Sequence, residues 1–378
     1  MQKNKSDIIE LARLFLKLGV IGFGGPAAHI AMMQHEVVYK RRWMSEQHFL
    51  DLISITNLIP GPNSTEMAIH IGHARGGWKG LIVAGACFIF PSVLLVGIIA
   101  WLYKKYGNLP VIQPFIYGIN PAIIAVILAA IFPLAKKSLK TIELGIIGCL
   151  ALTLSLFGAN EIYVMFGAGF IGLLYAELKN KIFISDIKSI FPLTLLQISK
   201  IRLPYSTNLR LFLIFLKVGA ILYGSGYVLF AFLDTELVSK GIISRQQLID
   251  AIAVGQFTPG PVSSSVTFIG YQIDGWTGAS VATLGIFLPS FLFIALLNPL
   301  AKKMRNSKMF SSFLDAVNIA SVAIIFGICF AIGKVSISDW RTILIAILSL
   351  TATFYFKKLN TAFVILGGAI TGYILLLL

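Results

Sequence analysis

The chain has 378 residues, 57% of them hydrophobic and only 12% charged, with a mean hydropathy of +0.85. Soluble domains carry about 25% charged residues, so this composition excludes an ordinary water-soluble fold and requires a bilayer as solvent. The net charge of +15 would point to nucleic acid in a soluble protein. Here, however, the lysines and arginines gather between apolar runs, at 40–42, 136–140, 179–202 and 302–308, with no aromatic-interleaved basic stripe. Nucleic acid is not expected as a partner.

In chain order, residues 1–10 are polar and mixed in charge and do not read as a cleavable signal peptide. A first apolar segment ends in Gly22-Phe-Gly-Gly-Pro26, and the basic 40–42 stretch and Trp43 follow. A segment at about 48–73 is broken by Pro60-Gly-Pro62, after which come apolar runs at 81–103, 112–135 and 144–157. A polar stretch holding Pro192 and Pro204 separates this unit from another apolar segment, a second Pro-Gly-Pro break at 259–261, and runs at 279–300, 317–332 and 361–378. At roughly 20 apolar residues per crossing, this is enough for about ten spans.

The second unit copies the first. Phe15-Leu-Lys-Leu-Gly19 recurs as Phe215-Leu-Lys-Val-Gly219, and Gly24 as Gly224. Pro60-Gly-Pro62 recurs as Pro259-Gly-Pro261, Gly77-Trp78 as Gly275-Trp276, Pro91-Ser92 as Pro289-Ser290, and Asn120 as Asn318. A colinear series at an offset of about 200 along the whole chain marks a duplication. The expected organisation is a first repeat at 1–178, a basic cytoplasmic linker at 179–208 and a second repeat at 209–378.

Loop charge bears on topology. If 40–42 is cytoplasmic and the Pro-Gly-Pro segment returns to its own side, then 136–140, the linker and 302–308 fall inside, and the uncharged 158–160 loop falls outside. Lys104–Lys105 and Lys334/Arg341 are the misfits. Broken spanning helices fit worse. The expected fold is therefore an all-α polytopic membrane protein of two homologous halves. They are inverted-topology repeats of about five spans each plus a broken or re-entrant Pro-Gly-Pro helix, with both termini on one side.

The residues that bear chemistry cluster at the breaks. Gly24 and Gly25, with Gly224 and Ser225, let backbone or ligand approach closely; the alternative is tight helix packing. Pro60, Gly61 and Pro62, and Gly260 in the second copy, end one helix and allow another to begin. Its unpaired first amides and the side chains of Asn63, Ser64 and Thr65, or of Ser263 and Ser264, make an anion site; the alternative is a capped kink. Lys17 and Lys217 sit at one repeat position inside apolar segments, where they either neutralise an anion or snorkel. Glu66 is the lone carboxylate at the first break. With His29 and His70 it is a candidate to carry a coupling proton. Arg42 is placed to recruit anions at the cytoplasmic mouth.

The three cysteines share no metal-ligand spacing, and no nucleotide-binding loop, dinucleotide fingerprint or nucleophile elbow is present. No metal, cofactor or enzymatic activity is expected.

These motifs resemble the chromate ion transporter (CHR) family, long-chain type with two fused domains. The resemblance rests on Phe23-Gly-Gly-Pro26, Trp43 with Phe49, Ile59-Pro-Gly-Pro-Asn-Ser-Thr-Glu66, Ala68-Ile-His-Ile-Gly72 and Gly76-Gly-Trp-Lys-Gly80. In the second half it rests on Thr258-Pro-Gly-Pro261 and Phe287-Leu-Pro-Ser290. Gly224-Ser-Gly226 departs from a fuller Gly-Gly-Gly form, so the halves are not expected to be equivalent as ligands. The resemblance implies a secondary transporter that exports chromate, or a sulfate-like oxyanion, across the cell inner membrane on a proton gradient or membrane potential. A passive oxyanion channel and an uptake carrier for sulfate-like anions are the alternatives. The expected partners are the oxyanion, the lipid bilayer and a second copy in a homodimer.

Overall fold

The computed structural model describes residues 5–107, 109–110, 112–180, 207–297, 307–356 and 359–377. These are helical throughout, with no strand among them. The first half comprises α1 (Lys5–Ile21), α2 (Gly25–Gln34, continued by a π turn at His35–Lys40), α3 (Glu46–Thr56), α4 (Asn63–Tyr106), α5 (Gln113–Ser138), α6 (Ile142–Leu156) and α7 (Glu161–Asn180). The second repeats the order: α8 (Thr207–Ile221), α9 (Val228–Leu233, continued by a π turn at Asp234–Val238), α10 (Arg245–Phe257), α11 (Ser265–Leu297), α12 (Lys308–Ser336), α13 (Trp340–Tyr355) and α14 (Thr361–Leu377).

α4 and α11 are each two helices joined at a sharp turn. Gly77 adopts φ 60° and ψ −145°, and Gly275 φ 56° and ψ −146°, a conformation closed to side chains with a Cβ. The chain folds back there, so that Gly72 lies against Gly80 and Gly270 against Gly278 with no room for a Cβ. Beyond the turn, residues 78–106 run about 43 Å at 1.5 Å per residue, enough to cross a bilayer.

Side-chain contacts fix which ends lie together. On the first face, Arg75 pairs with Asp7 at 2.7 Å and Glu10 at 3.7 Å, and Arg41 with Glu10 at 3.5 Å. Both guanidinium groups lie over Trp43, at 5.7 and 5.2 Å from the ring centroid. The start of α1, the end of the α2 π turn, the start of α3 and residue 75 are therefore neighbours. α1–α2 and α3–α4 (to Gly77) are two re-entrant hairpins, with tips at 22–25 and 57–62. On the second face, Tyr103 bonds Asp250 and Lys104 bonds the Gln272 carbonyl. Arg245 bonds Asp234, and Thr235 bonds Glu161. The second half's hairpins thus enter from the opposite side. The long helices confirm the inversion: Gly85 packs on Phe291 and Gly97 on Trp276, so α4 and its repeat mate α11 run antiparallel.

Five described helices are long and apolar enough to cross a membrane, at 63–106, 113–138, 161–178, 262–296 and 309–336, and the shorter apolar α6, α13 and α14 join them. Among the described residues, this makes four crossings and two hairpins per half. The sequence counts the first apolar segment of each half as a further span. In the structure α1 and α8 are instead hairpin arms: α1 turns back through α2, so that Arg41 at the far end of α2's π turn returns to Glu10 near the start of α1.

The chain ends are also placed differently from the sequence expectation. α1 begins on the first face and α14 ends on the second, where Tyr373 stacks on Phe115 at 4.7 Å. α7 ends on the first face and α8 begins on the second. Most of the linker expected at 179–208, the part at 181–206, lies outside the described residues.

Candidate functional site at the hairpin tips

The four tips meet inside the protein, and each Pro-Gly-Pro tip docks on the glycine tip of the other half. The Gly61 amide donates to the Leu222 carbonyl at 2.7 Å, and the Gly260 amide to the Gly22 carbonyl at 2.6 Å. The two bonds are related by the repeat. Buried backbone donors need partners, and here the partner of each break is supplied by the opposite half. Gly61 has φ 142°, and a Cβ there would fall on the Glu66 carboxylate and 2.7 Å from the Ser290 hydroxyl.

A second pair of contacts repeats the exchange with different chemistry. The Ser290 hydroxyl, on α11, donates to Glu66 Oε1 at 2.6 Å. Its mate Ser92, on α4, meets Ser264 at 2.6 Å. One symmetry position thus holds a carboxylate in the first half and a hydroxyl in the second. Glu66 is fully buried, and Ser290 bonds only one of its oxygens; Oε2 has no hydrogen-bond partner among the described residues. Thr65, Ser263 and Ser265 are also buried at the starts of the two post-break helices, with hydroxyls lacking a partner among the described residues. Such groups cost free energy in a dry interior, which marks this as a place built for polar contact. Asn318 and Ser321 from α12 approach Gly224, within 3.2 Å of where its Cβ would lie.

The sequence candidates divide accordingly. Gly61, Ser64, Thr65, Glu66, Gly260, Ser263 and Ser264 are gathered at the tips, between Pro60, Pro62 and the glycine turns of Gly24, Gly25, Gly224 and Ser225. Asn63 sits at the margin, 3.4 Å from Asn57. His29 is at the tip as well, but its Nε2 is 2.9 Å from the Gly22 carbonyl, so it braces the glycine turn. His70 lies one helical turn beyond Glu66, buried, with Nε2 unpartnered among the described residues. Arg42 is exposed on the first face, with φ 53°. Lys17 and Lys217 are expected from sequence as anion ligands, but each is held by a carboxylate of its own hairpin, Glu36 being shared with Lys40 and Arg41 and Glu236 with Lys240. Lys17 pairs with Glu36 at 3.1 Å and Lys217 with Glu236 at 2.7 Å.

Three contributors were missed from sequence: Ser92 and Ser290 as site residues, the carbonyls of Gly22 and Leu222, and the carboxylates that hold the lysines. Glu36 and Glu236 are themselves spaced like the other repeat pairs, a signal that was available.

Two described cavities, of about 430 and 390 Å³, lie away from the tips. One is lined by residues such as Tyr103, Lys104 and Gln272 on the second face, the other between α5 and α12. The structure is of a state with its tips closed.

Inverted halves, re-entrant hairpins and a polar centre where four helix ends meet define a multi-pass membrane transport protein. A family profile described as chromate transporter matches residues 9–173 and again 209–373, and the chain belongs to that family. It is 31% identical to a probable chromate transport protein of Synechococcus elongatus, over 97% of this chain and 95% of that one. It is 30% identical to a chromate transport protein of Cupriavidus metallidurans, over 97% and 92%. An uncharacterized transporter of Bacillus subtilis is 28% identical over only 35% of this chain but 75% of its own length. No solved structure matches.

Proposed function

We propose that this chain is a secondary transporter that exports chromate, or an oxyanion of the same charge and shape, from the cytoplasm across the inner membrane, with proton movement coupled through Glu66. The observation that carries the reading is the reciprocal docking of the two Pro-Gly-Pro tips beside a single buried carboxylate. Parting the tips frees the Gly61 and Gly260 amides together with the unpartnered hydroxyls of Thr65, Ser263 and Ser265. That donor set suits a tetrahedral dianion and uses no lysine. Glu66 supports coupling because its protonation alters a contact that spans the two halves, the bond from Ser290. The names of the relatives from Synechococcus and Cupriavidus support chromate as substrate.

Export is the direction the family resemblance implies, and orientation is argued from charge. Lys40, Arg41, Arg42, Arg75, Lys79, Lys136, Lys137 and Lys140 belong to the first face, more basic residues than the described part of the second face carries. The positive-inside rule makes the first face cytoplasmic.

The test is radiolabelled chromate flux into everted membrane vesicles, with sulfate as competitor and an uncoupler as control. Energised accumulation against a gradient is expected, sensitive to the uncoupler. Glu66→Gln should insert normally and lose the proton dependence. Flux that only equilibrates would indicate a channel and sink the proposal.

A further inference from the structure

The cavity between α5 and α12 is separate from the transport site and has a composition of its own. Ile124 and Leu128 of α5 face Phe326, Phe330, Gly333 and Lys334 of α12 across about 390 Å³ of open space. Phe326 and Phe330 are 41% and 50% exposed on the outside of the helix bundle. A Cβ at Gly333 would meet nothing within 4 Å, so the groove is open at this position and has room for a side chain. From Phe326 to Lys334 is about 12 Å along the helix, and Lys334 lies in the last turn of α12, on the second face. Its ammonium is 4.7 Å from the Phe330 ring centroid, at the mouth of the apolar channel.

The repeat sharpens the contrast. The first-half counterparts of Phe330, Gly333 and Lys334 are Phe132, Ala135 and Lys136, and there Phe132 is met edge-on by Phe354 at 6.2 Å. Lys136 lies on the cytoplasmic, basic face. Lys334 is one of the residues that contravene the positive-inside pattern, and the groove gives it a purpose.

We propose that this groove is a binding site for one anionic phospholipid, with an acyl chain along Phe326, Phe330 and Gly333 and the phosphate headgroup beside Lys334. The occupant is fixed by depth and charge: an apolar slot open to the hydrocarbon, ending in a single cation at headgroup level. The proposal does not depend on chromate being the substrate.

The test is native mass spectrometry of purified protein exchanged with an equimolar mixture of phosphatidylglycerol and phosphatidylcholine. One phosphatidylglycerol should be retained in preference to phosphatidylcholine by roughly fivefold, the weight of one lysine at an anionic surface. Lys334→Gln, at an exposed position, should bring the ratio near one. Gly333→Leu should fill the slot and release both lipids, with an unchanged melting temperature in lipid-free detergent. Retained preference in Lys334→Gln, or retained lipid in a folded Gly333→Leu, would overturn the proposal.

Discussion

Gly61→Ala is the most economical perturbation of the site. The added methyl falls on the Glu66 carboxylate and close to the Ser290 hydroxyl, so Glu66 must swing away and the Ser290–Glu66 bond must break. A hydrogen bond of this kind contributes about 0.5–1.5 kcal/mol, and forcing a residue with a Cβ to φ 142° costs about 1–3 kcal/mol more. The docked state of the tips should therefore lose roughly 1.5–4.5 kcal/mol relative to any state in which they part. A closed population of 99% would fall to about 90% at the lower figure and below a tenth at the upper, since each 1.4 kcal/mol is tenfold. We expect normal membrane insertion, loss of coupled chromate accumulation in everted vesicles, and faster labelling of a cysteine placed at Thr65. Ser290→Ala, which removes only the hydroxyl, should show the same defects more weakly. Wild-type accumulation and labelling in Gly61→Ala would show that the docked tips do not govern transport.

Three further outcomes are expected. Lys217→Met should lower the melting temperature in detergent more than Lys17→Met. The Lys217–Glu236 pair is buried, at 11% and 4% exposure, whereas Lys17 is half exposed; Lys240 still compensates Glu236 in the variant, so the cost falls between the roughly 1 kcal/mol or less of an exposed pair and the about 3–5 kcal/mol of a buried charge left unpaired. Equal shifts would refute the distinction. Reporter fusions to the two chain ends should report opposite sides of the membrane, and a same-side result would contradict the placement of α1 and α14 on opposite faces. Replacing Trp43 by alanine should loosen the first-face cluster of Arg41 and Arg75, seen as faster hydrogen exchange at the base of α3, with little change at the base of α10.

The halves and the Pro-Gly-Pro breaks were legible because proline and glycine at membrane depth leave a strong local mark, and because the second copy repeats it. The hairpin nature of α1 was not. An apolar run of 17 residues looks like a span until Arg75 is seen on Asp7, a contact between residues far apart in sequence. Glu66 was legible as an odd carboxylate, but its partner Ser290 was not. The pairing crosses from one repeat to the other, and no periodicity reports which helix of an inverted half will lie beside it. Lys17 and Lys217 read as anion ligands or snorkelling residues: the charge and the repeat-spaced Glu36 and Glu236 were visible, but nothing local reports that each carboxylate folds back onto its lysine.

The two crossed amide bonds look alike, but their acceptors differ. The Gly22 carbonyl takes the Gly260 amide and also lies against His29, held from both sides. The Leu222 carbonyl takes the Gly61 amide, and the residue at the repeat position of His29 is Leu229, which has no donor to offer. The extra bond stays within the first half and stiffens the Gly22 turn, at the usual worth of about 1 kcal/mol for a hydrogen bond; the Leu222 turn has no such brace. Duplication gave the protein two matching clasps, and a histidine in one half and a leucine in the other make one receiving turn stiffer than its mate.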